Sequence, residues 1–457
     1  MKITYKSNGL AFESNPSLLV MAMVVGAILT VAIMILAPDI ITFLSNRSFS
    51  FLESAKADSL VYAIPVGNGP MGIDYDSDNG NMYVANFYSN TVSVIDGNSN
   101  NVIATIPFAS NTSPVDIAFD SANGNLYVTN YSTGTVSVIN GNTNRVTGVI
   151  SGFRQGVFAI AFNSANGNLY VTNYSTGTVS VINGNTNRVI STIFVGGNPT
   201  AIAVNYANGD VYVADGINAV RVINPITNRL VGTVSVGYGP SGIAFDSDNG
   251  NMYVANFYSN TVSVIDGNSN NVIRTIPMLL DSANPSGIVY NPTDKHLYVI
   301  NYFSLGNTGS GGGGTVSVIN DYTNNVIANI AVGNSPQDGA FNSANGQVYV
   351  TNLLSNTVSV ISSSSAINPI QSIHDLIQTI QSMGTISQGV QIRLISILNT
   401  AVSILSTNNP GRYIAACNQL DVFNNQVYDG VQTGLIDQSS GIQFVQSSQA
   451  IQQVLGC

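Results

Sequence analysis

The sequence predicts an all-β seven-bladed propeller, joined to an N-terminal transmembrane helix and a small C-terminal α-helical bundle. Three observations lead there. A strand built around Tyr-Val recurs seven times, at Tyr83, Tyr127, Tyr170, Tyr212, Tyr253, Tyr298 and Tyr349. Successive tyrosines stand 44, 43, 42, 41, 45 and 51 residues apart, which is the length of one four-stranded blade. An uncharged run precedes the repeats, and a 3.6-residue apolar period follows them. The expected division is 1–17 cytoplasmic N-terminus, 18–37 membrane helix, 38–58 linker, 59–362 propeller and 370–457 bundle.

Residues 18–37 contain no charge. At 1.5 Å per residue such a helix spans about 30 Å, the thickness of a bilayer core. Lys2 and Lys6 precede it and Asp39 follows. The bias of positive charge toward the cytoplasm then leaves the N-terminus inside and the rest outside, anchored at the cell surface. A cleaved signal peptide is the alternative. It would carry a small-residue cleavage site directly after a shorter apolar run, whereas Ala55-Lys56-Ala57 lies well beyond this one.

One blade, residues 113–150, shows how all are written. A short apolar strand at 114–119 is followed by an Asn-Gly turn, then Asn-Leu-Tyr-Val-Thr-Asn at 125–130. A Ser-Thr-Gly turn leads to Thr-Val-Ser-Val-Ile at 135–139, alternating with the period of a strand. An Asn- and Gly-rich turn, tolerant of positive φ, leads to the fourth strand at 146–150. The strands are therefore A, B, C and D in chain order. Residues 60–66 read as a D strand yet precede the first A strand, and the last C strand runs into serines and a helical pattern. The N-terminal strand is thus expected to complete the seventh blade and hide two sheet edges. The alternative is that 366–373 supplies that blade's own fourth strand.

Composition narrows the partners. Charged residues make up 8% of the chain and the formal net charge is −10, so no basic stripe for nucleic acid exists. Two histidines, His296 and His374, lie far apart in sequence and do not suggest a His-based iron, copper or zinc site. Residues 121–146 repeat identically at 164–189, and 76–103 at 246–273. Interchangeable blades argue against a catalytic centre, which needs particular residues in particular blades. The Gly-rich insertion at 304–314 lacks the Gly-Lys-Ser/Thr of a phosphate loop and reads as a surface loop.

Three inner-strand carboxylates, Asp74, Asp116 and Asp338, form the only metal candidates, for a hard cation such as Ca²⁺ held through oxygen. The plainer alternative is that channel water or backbone amides satisfy them. Asp76-Ser77-Asp78-Asn79-Gly80 and its copy at 246–250 look like calcium loops but lack the terminal Glu, and read as hairpin turns. Glycosylation sequons occur at Asn46, Asn111, Asn130 and Asn173. Asn130 and Asn173 also end strands, where an amide can cap a turn.

The Tyr-Val-Thr-Asn tetrads at 127–130, 170–173 and 349–352, with variants at 83–86, 212–215, 253–256 and 298–301, resemble the YVTN-type β-propeller repeat of archaeal surface-layer and bacterial cell-surface proteins. That resemblance covers residues 59–362. It implies an extracellular propeller with roles in envelope structure or adhesion, and supplies no catalytic residues.

Helical faces appear at 370–380, 390–405, from Pro410 to Val427, and at 442–455. Ala416-Cys417-Asn418-Gln419-Leu420 and Leu455-Gly456-Cys457 resemble the FIMAH helical module of secreted microbial proteins, which carries a cysteine at each of these places. The resemblance implies a Cys417–Cys457 disulfide; two free buried thiols are the alternative. His374 is expected on a helix surface.

The function expected from all this is non-catalytic. The propeller would be a binding or envelope-structural scaffold without a cofactor. It would meet a protein or glycan partner on one face or associate with its own copies, and the N-terminal helix would hold it to the membrane. The alternative is a propeller hydrolase or lyase with a metal at the central channel.

Overall fold

A computed structural model describes residues 4–6, 9–11 and 58–457, except 279, 281–282, 303–312, 363–368, 408–410 and 456. The membrane span expected at 18–37, sequon Asn46 and most of the Gly-rich insertion lie outside the described residues. Near the N-terminus, β1 (Thr4–Lys6) and β2 (Gly9–Ala11) pair as a short antiparallel hairpin. Residues 56–457 form a separate compact unit.

That unit holds seven four-stranded antiparallel sheets. Blade one is β4 (Pro70–Asp76), β5 (Asn81–Asn86), β6 (Thr91–Asp96) and β7 (Asn101–Pro107). Blade two is β8 (Pro114–Asp120) to β11 (Arg145–Ile150), and blade three is β12 (Val157–Asn163) to β15 (Arg188–Phe194). Blades four, five and six follow as β16 (Ala201–Val204) to β19 (Arg229–Ser235), β20 (Pro240–Phe245) to β23 (Val272–Pro277), and β24 (Pro285–Asn291) to β27 (Asn325–Ala331).

Blade seven has three late strands, β28 (Pro336–Asn342), β29 (Gln347–Asn352) and β30 (Thr357–Ser362), and one early strand, β3 (Ser59–Pro65). Ser59 pairs with Ser362 and Pro65 with Thr357. The closure expected from strand counting is therefore present. The alternative fourth strand at 366–373 is not, because a helix begins at Pro369.

The B strands are buried along nearly their whole length, as strands sandwiched between neighbouring blades must be. All seven repeat tyrosines have no exposed surface. Each packs between its own blade and the next; Tyr83, for example, shares a cluster with Ile117, Leu126 and Val128 of blade two. The apolar core is thus a ring of inter-blade layers.

The C-terminal region is four helices: α1 (Pro369–Ser382), α2 (Gln388–Leu405), α3 (Arg412–Gln432) and α4 (Gln438–Leu455). Ile373, Ile380, Leu394, Leu398, Leu420, Phe423, Val427, Phe444 and Ile451 form their shared core. Among the described residues α2 is the one helix long and apolar enough to cross a membrane by length and composition. Its Val390, Leu394, Leu398, Ala401 and Leu405 are nevertheless buried in the bundle. Cys417 and Cys457 form a disulfide with Cα atoms 5.9 Å apart, and His374 is exposed.

Candidate functional site

A repeated polar lock holds the blades together, and one seam departs from it. In blade one, Tyr83 donates its hydroxyl to Asn144 Oδ1 (2.6 Å) and Gly141 O (3.0 Å) in the C–D turn of blade two. Asn79 of the preceding A–B turn donates to the same carbonyl (3.0 Å). Tyr127 repeats this with Asn187 (2.7 Å), Tyr212 with Asn270 and Tyr349 with Asn100 (2.6 Å). Tyr170 and Tyr253 reach Asn228 and Asn324 at 3.4 and 3.0 Å. Each acceptor asparagine has positive φ, between 51° and 57°, a conformation Asn tolerates better than most residues. It stands at the entry to a D strand.

Blade six faces the seam, where no C–D turn exists because the chain of blade seven leaves after β30. The residue immediately before the borrowed strand β3 is Asp58. Its register place is that of Asn144, since Ser59 pairs with Ser362 as Arg145 pairs with Asn140. Asp294 occupies the place of Asn79, and His296 opens the B strand where most blades have Asn or Gln. Tyr298 donates to Asp294 Oδ2 (2.5 Å) within its own blade, and Asn291 Nδ2 donates to the same oxygen (3.0 Å).

His296 is 7% exposed. Its Nδ1 lies 3.2 Å from Asp58 Oδ2 and 3.7 Å from Asp294 Oδ2. Despite these short distances, Nδ1 makes no hydrogen bond. Burial pushes the Asp294 carboxyl up to about 7, with His296 opposing the rise. Burial and the neighbouring Asp294 and Asp58 charges push the Tyr298 phenol up.

Among the described residues this is the group of His, Cys and carboxylate side chains whose ligand atoms all lie within 4.8 Å of one another. The sequence reading set the two histidines aside as metal ligands; the structure brings His296 beside two carboxylates. The closure of the ring brings Asp58 to His296, and nothing in their spacing announces it.

The channel carboxylates behave differently. Asp74 accepts the amides of Tyr75 (2.8 Å) and, from blade two, Phe119 (2.7 Å). Asp116 accepts those of Ile117 (2.8 Å) and, from blade three, Ile160 (2.9 Å). Asp338 reaches Ile73 of blade one (3.4 Å). Each therefore staples its A strand to the next blade, as the amide-bonded alternative supposed. All three are half-buried. Burial raises Asp74 to about 6 and Asp338 to about 7. Asp116 is raised by burial first and then by the charge of Asp338. The A strands crowd closely here: a Cβ on Gly72 would meet backbone of Val115 and Asp116 at 2.6 Å.

The calcium-like segments are hairpin turns. Asp76 Oδ1 accepts the Asp78 amide (2.9 Å), and Asp246 Oδ1 accepts that of Asp248 (2.9 Å). Asn130 and Asn173 are buried and donate to Ser137 Oγ (2.9 Å) and Arg154 O (2.8 Å). Asn111 is the exposed sequon among the described residues.

One surface feature went unread in the sequence. The residue after each Tyr-Val-x-Asn or Asp is Phe87, Tyr131, Tyr174, Gly216, Phe257, Tyr302 or Leu353. These B–C turns share one face of the propeller with the D–A loops, to which they hydrogen-bond: Phe87 N to Gly69 O and Phe257 N to Gly239 O. Rings follow one another along that face. Phe87 lies 5.2 Å from Tyr88 and 6.4 Å from Tyr131, and Phe158 lies 6.4 Å from Tyr131 and 6.2 Å from Tyr174. A second set joins Phe257 to Tyr258 (5.1 Å) and Tyr302 (5.9 Å), and Tyr258 to Tyr238 (5.2 Å). Tyr88 and Tyr258 are more than half exposed, at 61% and 65%.

No family model matches the chain, and no curated protein matches it. Among solved structures, a streptogramin B lyase is similar with a TM-score of 0.57 and 14% identity, over 68% of this chain and 99% of that one. Selenomethionine-substituted virginiamycin B lyase from Staphylococcus aureus is similar with a TM-score of 0.56 and 14% identity, over 67% and 99%. At such identity the likeness is one of fold, and a propeller hosts many unrelated activities.

Proposed function

We propose that the protein is a non-catalytic cell-surface scaffold of the YVTN propeller kind, and that it binds a glycan through the aromatic face. The observation that carries this reading is the series of half-exposed and exposed rings on the B–C-turn face. Flat aromatic surface offers stacking area at low entropic cost, and exposed apolar patches of this kind mark interaction sites. The scarcity of charge around them suits an uncharged, hydroxyl-rich ligand better than an ionic one. The locks and staples give the repeat tyrosines, their partner asparagines and the channel aspartates roles that need no catalysis. The FIMAH-like bundle would be an accessory or assembly module.

The test uses the full chain. Binding to purified cell-envelope polysaccharide is measured for the native protein and for the Tyr88→Ala/Tyr258→Ala double variant. A loss of affinity of roughly tenfold or more is expected at unchanged thermal stability, since stacked rings count for about 1–3 kcal/mol in comparable contacts. Equal binding by the two proteins refutes the reading. On cells, surface labelling should disappear when residues 1–40 are removed.

A second reading, a lyase centred on the channel, draws on the fold shared with the two lyases and on the raised Asp74, Asp116 and Asp338. The backbone amides that these carboxylates accept favour the structural role. A stoichiometric divalent ion lost on Asp116→Ala would reverse that preference.

A further inference from the structure

We infer that Asp58, Asp294 and His296 form a binding site for one divalent transition-metal cation, with zinc the best match, at the seam where the propeller closes. The argument begins with the departure from the repeat. The other six blade interfaces are held by a neutral phenol-to-asparagine bond. At the seam both asparagines are replaced by aspartates and a strand-opening polar residue becomes histidine. Two buried carboxylates and an imidazole meet where the other interfaces hold neutral amides, and buried carboxylates call for a partner that balances their charge.

Geometry supports the same conclusion. In a tetrahedral zinc site with bonds of about 2.0–2.1 Å, neighbouring ligand atoms stand about 3.3 Å apart. The His296 Nδ1 distances to the two carboxylate oxygens, 3.2 and 3.7 Å, bracket that edge. Nδ1 is buried and makes no hydrogen bond, so its lone pair is available to a metal in the neutral ring. Asp294 is fixed beside the ring by Tyr298 and Asn291 at Oδ2 and by the His296 amide at Oδ1, so a bound ion would share an oxygen with these donors. An imidazole among oxygens favours a borderline cation over calcium or magnesium.

The consequence is mechanical. Asp58 belongs to the segment entering the propeller, and Asp294 and His296 belong to blade six. An ion shared among them ties the start of β3 to blade six. Metal binding should therefore stabilise closure itself.

The experiment takes the full chain after chelator treatment and titrates it with Zn²⁺ by calorimetry, with Co²⁺ as a spectroscopic probe. One ion per chain, a rise in melting temperature and visible d–d absorption typical of low-coordinate cobalt are expected. Tyr298→Phe, which removes an orienting partner, should lower affinity by roughly 10–100-fold, and His296→Gln should lower it further. A triple variant, Asp58→Asn/Asp294→Asn/His296→Asn, restores the lock chemistry of the other blades. It should fold and bind no metal. Failure of the native chain to bind Zn²⁺, as when His296 is an imidazolium shared by the two carboxylates, overturns the inference. So does equal binding by the triple variant.

Discussion

The lock between Tyr83 and Asn144 makes a quantitative prediction, because Asn144 does two jobs. Its side chain accepts the Tyr83 hydroxyl at 2.6 Å, and its backbone sits at φ 53°. Tyr83→Phe removes the donor and leaves Asn144 Oδ1 without it, while Gly141 O keeps its bond from Asn79. One partly buried acceptor is then orphaned, at a cost of about 1–2 kcal/mol. Asn144→Gly loses the acceptor but keeps the left-handed turn, and Tyr83 keeps Gly141 O, so its cost should be about 1 kcal/mol. Asn144→Ala adds the penalty of positive φ, about 1–2 kcal/mol, against which the freer unfolded chain of the glycine variant counts about 0.4–1 kcal/mol. Alanine should therefore be worse than glycine by roughly 0.5–1 kcal/mol. The double variant Tyr83→Phe/Asn144→Gly should cost about 1 kcal/mol less than the sum of the two single changes. Urea unfolding followed by circular dichroism reads all four, tyrosine emission serving as a second probe because the chain has no tryptophan. Tyr127→Phe should match Tyr83→Phe, its partners lying at nearly the same distances. Additive single changes, or an alanine variant no worse than glycine, would refute the assignment of both roles to Asn144.

Two further outcomes follow from the same structure. Cys417→Ser opens a crosslink between residues 40 apart; loop entropy puts the loss at about 4 kcal/mol, confined to the helical bundle, and a bundle transition that does not move on reduction or substitution would contradict it. Asp74 and Asp338 titrate near 6 and 7 when folded, above the unfolded carboxylate value, so the folded chain holds the extra protons and stability falls as pH rises from about 4 to about 7. Asp338→Asn should flatten this fall and stabilise the protein more at pH 8 than at pH 4, provided the Ile73 amide still finds an acceptor; an unchanged pH profile of unfolding would refute it.

The ring was legible in the sequence because its signals are local and repeated. Each Tyr-Val strand, each Asn-Gly turn and the displaced strand at 60–66 can be read within a few residues, and the structure places all of them where counting put them. What escaped depends on joining distant segments. The turn asparagines were readable as turn formers, but their second role as acceptors for the tyrosine of the preceding blade needs the ring closed. The aromatic face was available as a column of Phe and Tyr after each Tyr-Val-x-Asn, yet a strand-ending aromatic reads as core until its turn is seen to project. Asp74, Asp116 and Asp338 were found in the sequence, and only the structure shows the neighbouring amides that occupy them. The seam is the extreme case. Asp58 looks like the end of a linker, Asp294 like a turn residue and His296 like one polar strand residue. Each is ordinary alone. They become informative when set against six other interfaces built from neutral asparagine, because repeated units provide their own baseline for what blade packing requires. A change from amide to carboxylate on both sides of one interface, with histidine between, exceeds what packing needs, and that excess is the physical reason to look for a cation there.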